Sequence, residues 1–259
     1  MRERTVEDPC VALSGVRMAY GPREVFHDLS CACPRGRITV ILGGSGSGKS
    51  TILRLIGGLV RPQAGRVLVD GEDVTRLSER ELYHVRSKLG MMFQGGALLD
   101  SLTVFENLAF PLREHTRLGE AEIASAVHRR LEAVGLTGVD ALLPGQLSGG
   151  MMRRVALARA IVRDPVILLC DEPFSGLDPV SVRLIEGLLR TVNARLGSSM
   201  IVVSHHIPST MRLADHVILL LPHAVVEGSP EALRRSPDPE VAAFLDEGAP
   251  GPGAAAEAP

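Results

Sequence analysis

The chain has 259 residues with 28 Lys and Arg against 30 Asp and Glu, a formal net charge of −2, so no overall positive field draws it to nucleic acid. At 45% hydrophobic and 22% charged, with 27 Gly and 17 Pro, its composition is that of a folded globular protein and excludes fibres and low-complexity chains. Cys10, Cys31, Cys33 and Cys170 supply one Cys-x-Cys and no second pair at metal-ligand spacing, so they read as small buried hydrophobes.

Residues 1–9 carry acids and a proline where an export signal needs an apolar run. No stretch approaches the ~20 apolar residues of a membrane span, and the expected compartment is the cytoplasm. Val11–Tyr20, Val25–Cys33 and Ile38–Leu42 predict three strands, broken at Gly21-Pro22 and Pro34-Arg35-Gly36. A helix is expected from about Ser50, extended segments at Arg66–Asp70 and Lys88–Phe93, and between them a helix opened by a Ser78/Glu81 capping box. From Thr103 to about Leu143 there is no convincing strand, while Ile123, Val127, Leu131 and Val134 recur at helical spacing, which predicts a helical insert. Beyond it, Val166–Cys170, Met200–Ser204 and Val217–Leu221 predict apolar strands alternating with helices over Pro179–Leu196 and from Pro208. That alternation predicts a parallel sheet covered on both faces. Asp178-Pro179 and Ser229-Pro230 each read as a helix cap followed by proline in the first turn. The Gly-, Pro- and Ala-rich tail over 247–259 is expected to be disordered.

Gly43-Gly44-Ser45-Gly46-Ser47-Gly48-Lys49-Ser50 fits the phosphate-loop pattern, and it stands between an apolar strand and a helix, the context in which that pattern has a mechanism. The glycines let backbone N–H groups surround a triphosphate at a helix N-terminus, Lys49 reaches the β- and γ-phosphates, Ser50 offers its hydroxyl to Mg2+, and Thr51 can add a hydrogen bond. Asp171 and Glu172 end an apolar strand, which points to Asp171 in the Mg2+ shell and Glu172 polarising water for attack on the γ-phosphate. Leu147-Ser148-Gly149-Gly150 opens a helix bearing Arg153, Arg154 and Arg159, giving a second anion-seeking helix end. Taken singly these segments also read as a Gly-Ser linker, a solvated acidic turn and an ordinary Ser cap.

As a set they resemble the ATP-binding-cassette ATPases, over nearly everything from Val11 to about Asp246. The resemblance implies an α/β fold, a P-loop cassette with a parallel core sheet, an N-terminal antiparallel β subdomain and an α-helical subdomain at about 95–163. These make one nucleotide-binding domain over 9–246. It also implies ATP and Mg2+, and two cassettes head to tail, each ATP clamped between the phosphate loop of one and the Ser148-Gly149-Gly150 edge of the other. Tyr20 resembles the aromatic that stacks on adenine, and Gln94 the glutamine that senses the γ-phosphate and Mg2+. Asp178 ends a Ser-Gly-Leu-Asp loop similar to the one that crosses the dimer interface, and His205 looks like the switch histidine at the γ-phosphate. Standing alone, Tyr20, Gln94 and His205 each read as a strand-end or turn residue. Met151 stands where the family has Gln and His206 where Asp is common, and neither change removes a group from the phosphate or Mg2+ shells.

Met92–Leu98, Val104–Asn107, Phe110–Thr116 and the C-terminal stretch from Ala214-Asp215-His216 to Ser236–Leu245 resemble the Mla-type lipid-trafficking ATPases of Gram-negative bacteria. This implies a homodimer on the cytoplasmic face of the inner membrane, peripheral through an integral-membrane permease dimer. An MCE-domain lipid-binding protein and a STAS-domain subunit complete the implied complex, which maintains outer-membrane lipid asymmetry. The docking surface for a permease helix is expected beside Gln94, at Gly95, Gly96, Ala97 and Leu98. Transport of another solute such as an amino acid, and a soluble ATPase outside transport, remain alternatives.

Overall fold

The structure, a computed structural model, describes residues 7–247. In chain order it contains β1 (Pro9–Tyr20), β2 (Arg23–Pro34), β3 (Ile38–Gly43), α1 (Lys49–Ile56), β4 (Ala64–Val69), β5 (Glu72–Asp73), α2 (Glu79–Ser87) and β6 (Leu89–Met92). Three helices then follow with no strand between them: α3 (Val104–His115), α4 (Glu120–Ala133) and α5 (Gly149–Ala160). The chain continues through β7 (Ile167–Asp171), α6 (Pro179–Leu196), β8 (Ser199–Val203), α7 (Ile207–Leu213), β9 (His216–Leu220), β10 (Val225–Gly228), α8 (Pro230–Arg234) and α9 (Pro239–Glu247).

These strands build two sheets. The antiparallel one has the order β2-β1-β4-β5, and the other, β10-β9-β3-β8-β7-β6, is parallel except for β10 at its edge. An α/β cassette with a parallel core sheet and an N-terminal antiparallel layer is therefore what the chain folds into. The short β5 and β10 lie outside the predicted strands, being too brief to show a period, and α9 ends on Glu247, the first residue of the expected tail. Residues 248–259 of that tail lie outside the described residues. The helix expected from Pro208 begins one residue earlier, at Ile207.

Side-chain alternation along the core strands divides the interior in two. Leu168 and Cys170 of β7 face a core made with α3, α4, α5 and α6, whereas Ile167 and Leu169 face α1, α2 and the antiparallel sheet. Every one of these residues is fully buried, as expected for parallel strands covered on both sides. All four cysteines are free and buried; burial pushes the Cys170 thiol up to about 12.

The approach of α5 to the sheet depends on Gly90 in β6, where an added Cβ would overlap the Ala160 carbonyl oxygen and meet Pro165 at 2.9 Å. A backbone atom cannot retreat as a side-chain tip can. Gly90→Ala is therefore expected to cost about 1–3 kcal/mol, read as a lowered denaturant midpoint. An unchanged midpoint would contradict this packing.

Candidate active site

β3 runs out of the sheet at Gly43 and the chain curls through Gly46 (φ 78°) and Gly48 (φ 94°) before α1 begins. At Gly48 a Cβ would lie 2.5 Å from the Phe26 ring, so glycine is required by packing as well as by dihedral. Gly48 caps α1 with no side-chain hydrogen bond, leaving first-turn N–H groups of α1 for an anion. Lys49 folds back with Nζ donating to the carbonyls of Gly43 and Gly44, both at 2.8 Å. Burial lowers its pKa, against the opposing pull of Glu172 and Asp171. Ser47 Oγ is buried without a hydrogen-bond partner.

Asp171, at the end of β7, accepts a bond from Ser50 Oγ at 3.2 Å. Desolvation holds its pKa above the ordinary value although the Ser50 hydroxyl pulls the other way. A desolvated carboxylate beside a hydroxyl is a hard-oxygen pair that suits Mg2+. Glu172 follows in left-handed backbone (φ 48°), held by its N–H donating to the Val203 carbonyl at 2.9 Å. Its Oε2 lies 2.9 Å from His205 Nδ1, outside hydrogen-bond alignment, and is otherwise buried without a partner. Tyr20, Ser45, Gly46, Gly48, Lys49, Ser50, Thr51, Gln94, Glu172 and His205 line a single cleft of about 780 Å³, together with Arg23 and Val25.

Gln94 enters this cleft from the turn after β6. That turn is anchored from α5, where Arg159 donates to the carbonyls of Gly96 and Ala97 at 3.0 and 2.9 Å. Downstream, the buried Asn107 bonds the backbone of Leu99, Leu102 and Thr103. Neither anchor was recognised in the sequence. Of the surface expected at Gly95–Leu98, Gly95 and Ala97 are exposed, whereas Gly96 turns inward against Met152 and Ala156 and Leu98 packs partly on the core. Phe93 and Leu99 are the large apolar residues exposed there.

Ser148, Gly149, Gly150 and Asp178 do not line the cleft. Ser148 caps α5, its Oγ accepting the Met151 N–H at 3.2 Å. Asp178 caps α6 by accepting from the N–H groups of Val180 and Ser181 and from the Ser181 hydroxyl, which holds its carboxyl below the usual range. The two helix ends meet, since a Cβ on Gly150 would stand 3.3 Å from Ser181 Oγ. Arg153 of α5 also donates to the Ser175 carbonyl at 3.0 Å.

Both departures from the family pattern have structural places. Met151 is half-buried against the core. His206 caps α7, with Nδ1 accepting the Ser209 N–H at 3.1 Å, the work that an aspartate oxygen does at such a position. This requires a neutral ring with the proton on Nε2.

Comparison with known proteins accords with this geometry. The family model described as ABC transporter matches residues 26–175. The chain is 46% identical over 243 residues to the intermembrane phospholipid transport system ATP-binding protein MlaF of Escherichia coli (strain K12), covering 93% of this chain and 90% of that one. It is 40% identical over 237 residues to the probable ribonucleotide transport ATP-binding protein mkl of Mycobacterium tuberculosis (strain ATCC 25618 / H37Rv), covering 91% of this chain and 66% of that one. A solved dimeric, post-hydrolysis ATP-binding cassette bound to ADP and Pi superposes with a TM-score of 0.77 at 32% identity, over 85% of this chain and 98% of that one.

The His206 cap has a testable pH dependence. Desolvation, then Arg212, lowers the His206 pKa from 6.5, with Glu186 and Glu172 pulling it up and His205 adding to the depression. The folded state thus binds fewer protons here than the unfolded one, and the stabilisation present above pH 6.5 declines as the pH falls below it. His206→Ala should cost about 1 kcal/mol at pH 8. His206→Asp should retain the cap and flatten the decline between neutral and mildly acidic pH, measured as denaturant midpoints. An identical decline in His206→Asp would contradict the assignment.

Proposed function

The chain belongs to the ABC transporter family, and from that membership we propose that it is the ATP-hydrolysing subunit of a phospholipid transporter. Transport would run between the inner membrane and a periplasmic MCE-type carrier, maintaining the lipid asymmetry of the outer membrane. The observation that carries the catalytic reading is the Glu172 carboxylate, nearly buried at the cleft wall with one oxygen lacking a hydrogen bond. The lipid reading rests on the 46% identity to the phospholipid-system protein across almost the whole chain. The 40% identity to the mycobacterial protein favours, as a second reading, another solute.

In this mechanism Lys49 and the free N–H groups at the start of α1 hold the β- and γ-phosphates, while Tyr20 stacks on the adenine. Gly43, Gly44, Ser45, Gly46, Ser47 and Gly48 form the cradle, and Thr51 adds a phosphate contact. Ser50, Asp171 and Gln94 would hold Mg2+, which supplies positive charge to the phosphate oxygens. Glu172 accepts a proton from water as its oxygen attacks the γ-phosphorus; the bond from that phosphorus to the bridging oxygen breaks and ADP leaves with the electron pair. His205, whose Nδ1 lies 2.9 Å from Glu172 Oε2, contacts the γ-phosphate in this reading.

Ser148, Gly149, Gly150 and Asp178 complete the site of a second copy, because they lie off the cleft of their own chain and α5 presents a helix N-terminus to an anion. Residues 9–246 are assigned to the nucleotide-binding domain, with the helical subdomain at about 95–163. Among the described residues no helix is long and apolar enough to cross a membrane. The proposed place of the chain, by its likeness to the phospholipid-system protein, is the cytoplasmic face of the inner membrane, held by a permease dimer whose docking includes Phe93 and Leu99. An MCE-domain protein and a STAS-domain subunit complete the proposed assembly.

Glu172→Gln should retain ATP binding, lose hydrolysis and accumulate as a dimer with MgATP. A variant that stays monomeric at saturating MgATP, alone and with the permease, would contradict the two-copy site. Ser148→Arg should abolish turnover, whereas Met151→Gln should alter it by less than about tenfold, because backbone N–H groups do the anion binding. Equal damage from both would overturn that division. Phospholipid co-purifying with the complex supports the lipid reading, and complexes that carry no lipid and transport none would reject it.

A further inference from the structure

Arg23 opens β2 directly across the Gly21-Pro22 turn from Tyr20, and the two residues form the last register pair of the hairpin. Side chains of such a pair project to the same side, and both line the cleft. Arg17, on the neighbouring strand of the same hairpin, is committed to the Glu24 carboxylate at 3.0 Å. The Arg23 side chain makes only one hydrogen bond among the described residues, a long one from Nη2 to the Gly46 carbonyl at 3.4 Å. It is exposed, so most of its five N–H donors face solvent at the mouth of the cleft.

Gly46 lies at the middle of the phosphate loop, and a Cβ there would stand 3.2 Å from Arg23 Nη2. The guanidinium is thus already against the loop that is read as holding the triphosphate. Lys49, the other cation of the cleft lining, has its ammonium occupied by two loop carbonyls. A bound triphosphate brings more negative charge than one lysine offsets, and a planar fork of N–H donors matches phosphate oxygens better than it matches a single carbonyl.

We propose that Arg23 is a second cationic contact for the phosphates of the bound nucleotide, its guanidinium N–H groups exchanging the Gly46 carbonyl for phosphate oxygens when the cleft is filled. The inference rests on reading the cleft as the ATP site. Tyr20 and Arg23 then act as one arm: the ring engages the base and the guanidinium the phosphate chain, both carried on a turn fixed by Gly21 and Pro22. Arg23 takes no part in the proton transfer, so it serves affinity and leaves the chemical step to Glu172.

The test is nucleotide titration and steady-state kinetics on the full chain with Arg23→Gln, Arg23→Lys, Lys49→Ala and, as a charge-matched control on the exposed face of α4, Arg129→Gln. Arg23→Gln should weaken ATP and ADP binding by roughly tenfold, the effect of losing a charge-assisted contact. KM should rise with kcat at saturating ATP nearly unchanged, and Arg23→Lys should recover most of the affinity. Lys49→Ala losing binding while Arg23→Gln binds ATP like the parent would overturn the proposal and leave the cleft reading intact. A Lys49→Ala protein that binds ATP normally would instead remove the cleft reading itself. A loss from Arg129→Gln equal to that from Arg23→Gln would also overturn the proposal, by showing a general effect of net charge.

Discussion

The parallel pairing of β3, β8 and β7 is the constraint from which the site follows. Ile41 of β3 and Asp171 of β7 both register with Val203 of β8, so three strands end at one edge of the sheet. Whatever follows each strand must emerge there. The phosphate loop follows β3, the two acids end and follow β7, and His205 follows β8. Residues more than a hundred positions apart meet because strand direction and register leave them no other place. The Val203 carbonyl takes part directly by accepting the Glu172 N–H, and the Ser204 N–H returns the tie to Ile41.

A second organising element is α5. Its N-terminus presents Ser148 and Gly149 away from the home cleft, while two of its arginines reach back to backbone carbonyls on either side. Arg159 holds the turn carrying Gln94, and Arg153 holds the loop leading to Asp178. Both guanidiniums are partly desolvated, and with neutral carbonyl partners their bonds fix loop geometry without cancelling charge. In the proposed two-copy site, a displacement of Gln94 would therefore be tied mechanically to the Ser148 edge. ATP chemistry would then have a route to dimer closure through one helix.

What was legible in the sequence was chemistry carried by contiguous residues. Gly43–Ser50 declares itself because a phosphate cradle needs its glycines and lysine in one short run, and the apolar strand before Asp171 shows where those acids must emerge. The exposed pair Tyr20 and Arg23 divides differently: the aromatic has a familiar place beside the turn, whereas an arginine on a hairpin looks like any solvated charge until its guanidinium proves to lie against the Gly46 carbonyl. Arg159 and Asn107 stayed hidden for another reason. Their partners are backbone carbonyls and N–H groups, which every residue carries, so no residue type marks the far end of the bond. His206 looked like a departure because residue identity, rather than the capping geometry shared by imidazole and carboxylate, was the visible feature.

The central claim is that each site is completed by the Ser148 edge of another copy. It is tested most directly by mixing two inactive variants, Glu172→Gln and Ser148→Arg, under conditions that allow subunit exchange. In a mixed dimer, one site carries both defects and the other carries neither, since its Glu172 comes from the Ser148→Arg chain and its Ser148 from the Glu172→Gln chain. The account predicts that ATP hydrolysis reappears on mixing. Mixed dimers that demonstrably form yet remain as inactive as either parent would contradict it.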